Sequence, residues 1–358
     1  MHSPKTRYLI FFQYFGTKYS GVMESVPDQP TRGVQNYLEQ AAQKLRPVTP
    51  IKFCISSRTD TGVHALCNAA HIDVQRAAEK PPFHESIIVS TLNHFLKPEP
   101  IRRIVSAYRV PENFNARFSA LSRTYVYRLM TGSSHHSQVP VFERDLCWAP
   151  GGGHLNVPAM QEAACFLLGT HDFSTFRSVS SDLPFRSPVK RLDHVDIRPS
   201  SGFMSHHYEY RGLQFWEVEF KSQSFLYKQV RRMVGALVAV GQGKLAPYHI
   251  KELLEIRNPL AYPVHLAPAA GLFLKSVEYN EAGITAFFLR KLRRKEIWRW
   301  KATQTNSNAV RGRCATISAV TSSCAEEGGW PVQQRCPALV SQWFAIAAHN
   351  GAQRPAIA

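Results

Sequence analysis

Two apolar runs of strand length, residues 51–55 and 68–74, stand on either side of one polar loop. The loop reads Ser56-Ser57-Arg58-Thr59-Asp60-Thr61-Gly62-Val63-His64. A loop held between two strands presents a charged side chain on a fixed scaffold while its backbone stays at the surface. Asp60 is the only acidic residue between Glu39 and Asp73, so chemistry at this loop has a single carboxylate to work with. In isolation Arg58-Thr59-Asp60 reads as a solvated turn. It becomes a site only if the rest of the chain supplies partners for that carboxylate.

The remainder alternates short strand-like and helix-like segments, punctuated by proline and glycine. Residues 8–15 are apolar and aromatic and read as a strand. Val34, Leu38, Ala41, Ala42 and Leu45 recur at helical spacing, with Thr31 as the expected cap and Pro47 as the stop. Residues 85–96, 155–168 and 249–257 read as further helices, and 101–110, 189–198, 213–221 and 271–277 as strands. His171-Asp172 after Gly169 is expected to tie down a helix end.

Two segments carry chemistry besides the loop. Residues 114–129 place Tyr125 and Tyr127 two apart in a β-prone run, so both rings leave the same strand face, with Arg117, Arg123 and Arg128 around them. Aromatic rings beside arginines suit an unstacked base and its phosphates. One buried Tyr with a solvated arginine edge is the competing reading. In residues 222–237, Tyr227, Val230, Val234 and Leu237 form a buried helical face. Arg231 lies beside that face, where a partly buried cation needs a carboxylate.

Lys and Arg number 43 against 26 Asp and Glu, a formal charge of +17. Residues 281–358 contribute +7 and the preceding 280 residues +10, so the basic character is not confined to the tail. Such an excess points to a polyanionic partner, nucleic acid first. The seven cysteines are odd in number, dispersed and without a C-x-x-C pair, which fits reduced thiols inside a cell and not a disulfide framework. His64, Cys67 and His71 fit no standard metal spacing, so no metal is expected. No run reaches membrane-spanning length, and the N-terminus reads as neither signal nor transit peptide. From residue 281 the chain turns first basic and aromatic, through 287–301, then Ser-, Thr-, Ala- and Gln-rich, and reads as a disordered tail without an assigned role.

Ser57-Arg58-Thr59-Asp60-Thr61-Gly62-Val63-His64-Ala65 closely resembles the catalytic motif of the tRNA pseudouridine synthase A family, Gly-Arg-Thr-Asp-x-Gly-Val-His-Ala. The likeness runs on, in the family's order, through the segments beginning at Tyr14, Val34, Phe114, Leu167, Phe225 and Gly271, and covers about residues 7–280. Within the family it is strongest to an animal branch, through residues 55–70, 140–144 and 222–233. The chain departs from the family at Val22-Met23, where many members have Trp-Gln, and at Ser57, where they have glycine.

The resemblance implies an α+β pseudouridine synthase fold. Two mixed α/β halves, 7–112 with the Asp60 loop and 113–280 completing the site, share a largely antiparallel sheet and a basic RNA-binding cleft. It implies isomerisation of a flipped-out uridine of tRNA, in the anticodon stem-loop, by a homodimer without cofactor or metal. It places that reaction inside the cell, in mitochondria by the branch, with cytoplasm and nucleus as alternatives. Carried over residue by residue, Asp60 is the catalytic carboxylate, acting as nucleophile or base. Arg58 supports the flipped nucleotide, Arg231 pairs with the carboxylate, Tyr125 stacks on the uracil and Leu272 walls the base pocket. Tyr127 and Arg117 are the further substrate contacts expected from the residues themselves. Two other readings compete. A non-catalytic RNA-binding protein would be expected to lack one of Arg58, Asp60, Tyr125 or Arg231. A nucleoside hydrolase normally needs a second acid or a metal to activate water.

Overall fold

The first strand, β1 (Thr6–Tyr14), is buried along nearly its whole length, at Tyr8, Leu9, Ile10, Phe12 and Tyr14. An apolar run of this kind belongs inside a sheet rather than at its rim. β1 pairs antiparallel with β3 (His64–Val74) on one side and β4 (Arg103–Arg109) on the other. The two-residue β2 (Cys54–Ile55) joins β3 from the side. β5 (Ala120–Thr131), β6 (Gly169–Asp172), β7 (Val189–Ser200), β8 (Gln214–Ser222) and β9 (Leu272–Tyr279) complete a nine-stranded sheet in the order β4-β1-β3-β9-β5-β8-β7-β6. Every pairing is antiparallel except β3 with β9, which run parallel over His64–Phe273 and Ala65–Leu274.

Among the described residues five α-helices accompany the sheet: α1 (Val34–Gln43), α2 (Glu85–Phe95), α3 (Val157–Cys165), α4 (Gln229–Gly241) and α5 (His249–Ile256). This is the α+β class, with a mostly antiparallel open sheet. The computed structural model describes residues 5–26, 29–77, 80–98, 103–133, 139–151, 153–179, 187–202 and 212–280. All lie within one compact unit, residues 1–296. The tail from 281 onward, with the basic stretch 287–301, lies outside the described residues. Among the described residues no helix is long and apolar enough to cross a membrane.

Three local outcomes differ from the sequence pattern, each for a physical reason. Helix α1 is capped by Gly33, not Thr31: its N–H is held by the Asn36 Oδ1 (3.0 Å) and the Ser25 Oγ (3.1 Å). A side chain at position 33 would collide with the Met23 carbonyl, so the chain enters the helix where only glycine fits. Strand β3 begins at His64, four residues ahead of the apolar run, because those residues pair with β1 and β9. Strand β6 is four polar residues paired only with β7, and an edge strand of that kind carries no alternation to read.

The core is nearly continuous through the sheet and its helices, with a small separate cluster of Met130, Cys147 and Phe215. Most of helix α4 belongs to it. Met233, Val234, Ala236 and Leu237 are fully buried, and from Met233 to Gly241 no residue reaches solvent appreciably. Met233, Val234 and Leu237 each contribute on the order of 1.5–3 kcal/mol when removed from water. That burial anchors the helix whose first turn carries Arg231.

Candidate active site

The loop between β2 and β3 is held from both flanks. On one, the Tyr14 hydroxyl and the Thr59 Oγ1 are 2.8 Å apart, and the Asn68 Nδ2 donates to the Ser57 carbonyl (2.9 Å). Burial pushes the Tyr14 phenol up to about 12, so it stays neutral. On the other, the Val22 N–H and the Thr61 Oγ1 tie the loop to residues 20–22. Gly21 makes that approach possible: its φ is +115°, and a Cβ there would stand 2.7 Å from the Thr59 carbonyl oxygen. The loop closes on itself through Val63 N–H to Asp60 O (3.1 Å). His64 lies behind it, 1% exposed, accepting from the Gly16 N–H (3.0 Å) and stacked on Phe273. Burial lowers its pKa to about 4, which makes it a neutral structural group and not a proton donor to the cleft.

Asp60 points into a cavity of about 570 Å³. Its Oδ2 lies 3.2 Å from the Nη1 of Arg231, with the two side chains 25% and 12% exposed. The Nε of the same guanidinium donates to the Ala267 carbonyl (2.7 Å), which fixes its orientation. The pair bridges the parallel seam of the sheet, since the Asp60 loop leads into β3 and Ala267 precedes β9. A guanidinium anchored in this way is a rigid counter-charge for one carboxylate.

Tyr125 and Leu272 supply the apolar surroundings. Both line the cavity, 8% and 5% exposed. Tyr125 lies where the register between β5 and β9 shifts, the kind of irregularity that re-aims a side chain. Phe225 packs edge-on against its ring at 5.2 Å. Burial raises the Tyr125 phenol above its usual range, so it presents a neutral ring.

Not every expected contact reaches the cavity. Tyr127 leaves the same strand face as Tyr125 but is fully buried, its hydroxyl donating to the Pro268 carbonyl (2.8 Å). Gly271 lies so close that a Cβ there would stand 2.5 Å from the ring. Tyr127 is therefore a core residue, because the turn before β9 closes over it. Arg123 is also committed internally, donating to Ser56 O (3.2 Å), Ser57 Oγ (3.1 Å), Arg117 O (2.8 Å) and Gln223 O (2.6 Å). Arg128 is paired with Glu143 at 2.8 Å. Of the three arginines expected around the tyrosines, Arg117 and Arg123 line the cleft, and Arg123 does so with its donors already taken by the protein.

The rim carries cations from distant parts of the chain. Arg58 is exposed, and Arg117, Arg177, Lys190 and Lys228 are half-buried around the same opening. Lys228 has a left-handed backbone, φ 57°, at the cap of α4. Arg177 has no sequence signal, since it lies in an unpatterned polar stretch, and Lys190 stands at the start of a strand whose alternation does not mark it as a site residue. Phe118, at 79% exposure, also borders the cleft and was hidden among the arginines of its motif. The arrangement can hold a flat ring between Tyr125 and Leu272 against one carboxylate, with an anionic backbone along the rim.

A family model described as tRNA pseudouridine synthase matches residues 10–119 and 163–280. The tRNA pseudouridine synthase-like 1 of Xenopus laevis is 59% identical over 288 residues, covering 80% of this chain and 96% of its own length. The human protein of the same name is 51% identical over 290 residues, covering 80% and 95%. The tRNA pseudouridine synthase A of Paramagnetospirillum magneticum is 36% identical over 278 residues, covering 77% and 96%. Of the residues assigned to the site by resemblance, Arg58, Asp60, Arg231 and Leu272 fall within the matched segments, and Tyr125 lies between them. With matches of that extent and identity, the chain belongs to the tRNA pseudouridine synthase family.

Proposed function

We propose that this chain converts a uridine in the anticodon stem-loop of tRNA into pseudouridine, with Asp60 as nucleophile or base. Its family membership makes it a tRNA pseudouridine synthase. The isomerisation breaks the N1–C1′ bond of uridine and forms a C5–C1′ bond. C5 gives up a proton and N1 gains one, so atoms and electrons balance within the nucleotide. A single carboxylate suits such a step.

One observation carries the reading: the Asp60–Arg231 pair at 3.2 Å opens onto a cavity walled by Tyr125 and Leu272. The target must leave its stack to enter, at a cost of a few kcal/mol. Stacking on Tyr125 returns about 1–3 kcal/mol and holds the detached ring while it turns. Arg58, at the loop and on the rim, would support the nucleotide's backbone. In this reading residues 7–112 bring the carboxylate and residues 113–280 bring Tyr125, Arg231 and Leu272. The family resemblance also supports a homodimer, tested by sedimentation, and a mitochondrial location, tested by fractionation.

The deciding experiment is Asp60→Asn in the full chain. It is expected to keep its melting temperature and its affinity for tRNA. Pseudouridine formation should fall at least about 10³-fold, of the order seen when a covalent catalyst loses its reacting group. Unchanged pseudouridine formation sinks the assignment. Free uracil in the wild-type product would replace isomerisation by hydrolysis.

A further inference from the structure

We propose that the RNA strand carrying the target uridine leaves the Asp60 cavity across Phe118 and enters a second cleft behind Arg58 and Arg117, which holds its flanking nucleotides. This rests on the function proposed above. The second cleft has a volume of about 500 Å³, within the range of small-ligand sites. Lys5 and Cys54 stand on its walls and Met23 and Phe53 supply apolar surface. Arg58 and Arg117 line both openings, so the two are continuous through a pair of guanidinium groups.

Charge and rigidity mark this path. Among the described residues, Lys5, Arg58 and Arg117 form no ion pair. The neighbouring Asp73 is neutralised by Arg7 through two 2.7 Å contacts, and Lys52 by Glu24 and Glu39. Three uncommitted cations therefore face a channel without an uncommitted acid, which suits a phosphodiester backbone.

The turn before β5 sets Phe118 on the rim of the Asp60 cavity, next in sequence to Arg117, which lines both openings. Asn115 Oδ1 accepts the N–H groups of Arg117 (2.9 Å) and Phe118 (3.2 Å), and Ser119 N–H closes onto Asn115 O (2.8 Å). From below, Ala116 donates to the His71 Nδ1 (3.1 Å) and accepts from the Tyr279 hydroxyl (2.7 Å). A single exposed phenylalanine is ordinary. One set by a bonded turn at 79% exposure on the rim of a cationic opening, with a guanidinium carbon 5.5 Å from its ring centre, is a stacking surface for a base. Its ring tolerates any base, so the cleft would grip flanking nucleotides without reading them.

Cys54 makes the cleft directly testable, because its exposed thiol is a built-in probe. The full wild-type chain is alkylated with iodoacetamide, with and without saturating unmodified tRNA, and each cysteine is mapped by mass spectrometry. Cys54 labelling is expected to slow at least ten-fold, while Cys165, also exposed, is unaffected. Equal labelling of Cys54 with and without bound tRNA, or equal protection of both cysteines, overturns the proposal. Pseudouridine formation and a gel shift in the same reaction report separately on the parent function. In a second arm, Phe118→Ala should raise KM for tRNA about ten-fold with kcat within two-fold and an unchanged melting temperature, and Phe118→Trp should restore it. An unaltered KM in Phe118→Ala also overturns the proposal.

Discussion

The floor and the rim of the cleft are built from the same residue types, arginine and aromatic rings, yet they are opposites. On the floor, Arg123 gives its donors to the backbone and hydroxyls of residues 56, 57, 117 and 223, and Tyr127 gives its hydroxyl to Pro268. On the rim, Arg58 and Phe118 face solvent, with the Arg117 guanidinium over the Phe118 ring. The adjacent pair on α4 repeats the contrast: Arg231 faces Asp60, whereas Arg232 donates to Thr175 O and Pro259 O. A guanidinium whose donors all end on the protein holds loops together, and one whose donors are open waits for phosphate. The basic composition alone does not separate the two.

Substitutions can break this contrast, and the largest effects belong to the floor. Arg123→Met removes one cation and strands three carbonyls and two hydroxyls, so unfolding free energy should fall by about 3 kcal/mol or more. A urea midpoint unchanged from wild type would show that Arg123 is not a brace. His64 gives an effect of similar size with acid. Its folded pKa of about 4 lies below the unfolded 6.5, so the unfolded state binds the extra proton between these values. Stability is complete above pH 6.5 and is lost as pH falls toward 4, by about 3 kcal/mol at about 1.4 kcal/mol per pH unit. Chemical denaturation from pH 7 to pH 4 should show this loss, and His64→Asn should lack it. A parallel pH dependence in the variant would remove His64 from the floor.

Smaller effects sharpen the boundary. Tyr127→Phe loses one hydrogen bond and should cost about 1 kcal/mol of stability with KM for tRNA unmoved. A raised KM would return Tyr127 to the substrate. Arg117→Gln should leave stability within about 0.5 kcal/mol of wild type. It should instead lower the slope of log affinity against log salt by about 0.7, one single-strand phosphate contact's worth. An unchanged salt slope would move Arg117 from the rim to the scaffold.

Asp60, Tyr125, Arg231 and Leu272 were legible in the sequence because each belongs to a motif of restricted spacing, and they converge on one cavity. Their neighbours were less so. The alternation that placed Tyr125 and Tyr127 on one face is correct, but period two says nothing about how far a turn from elsewhere covers that face. Here the cover is Pro268 and Gly271, more than 140 residues away. Arg123 and Arg128 look like Arg117 in sequence, and only their distant acceptors decide their fate. Strand β6 escaped because edge pairing needs no apolar pattern, and Lys228 because a left-handed cap leaves no mark when the residue is not glycine.

The parallel contact of β9 with β3 has a consequence for the chain as it is made. Among the described residues β9 is the last strand in sequence, yet it sits fourth across the sheet, joining β3 to β5. Until it is synthesised, β5 leaves an edge unpaired and β3 lacks its partners at His64 and Ala65, so the end of the loop bearing Asp60 has no neighbour at Phe273 or Leu274. A nascent chain halted before residue 272 therefore has open strand edges, the surfaces on which chains pair with one another. Release of those eight residues from the ribosome closes the sheet and aligns the carboxylate with its arginine. Arrested chains ending on either side of β9 should differ sharply in protease resistance and in tRNA binding.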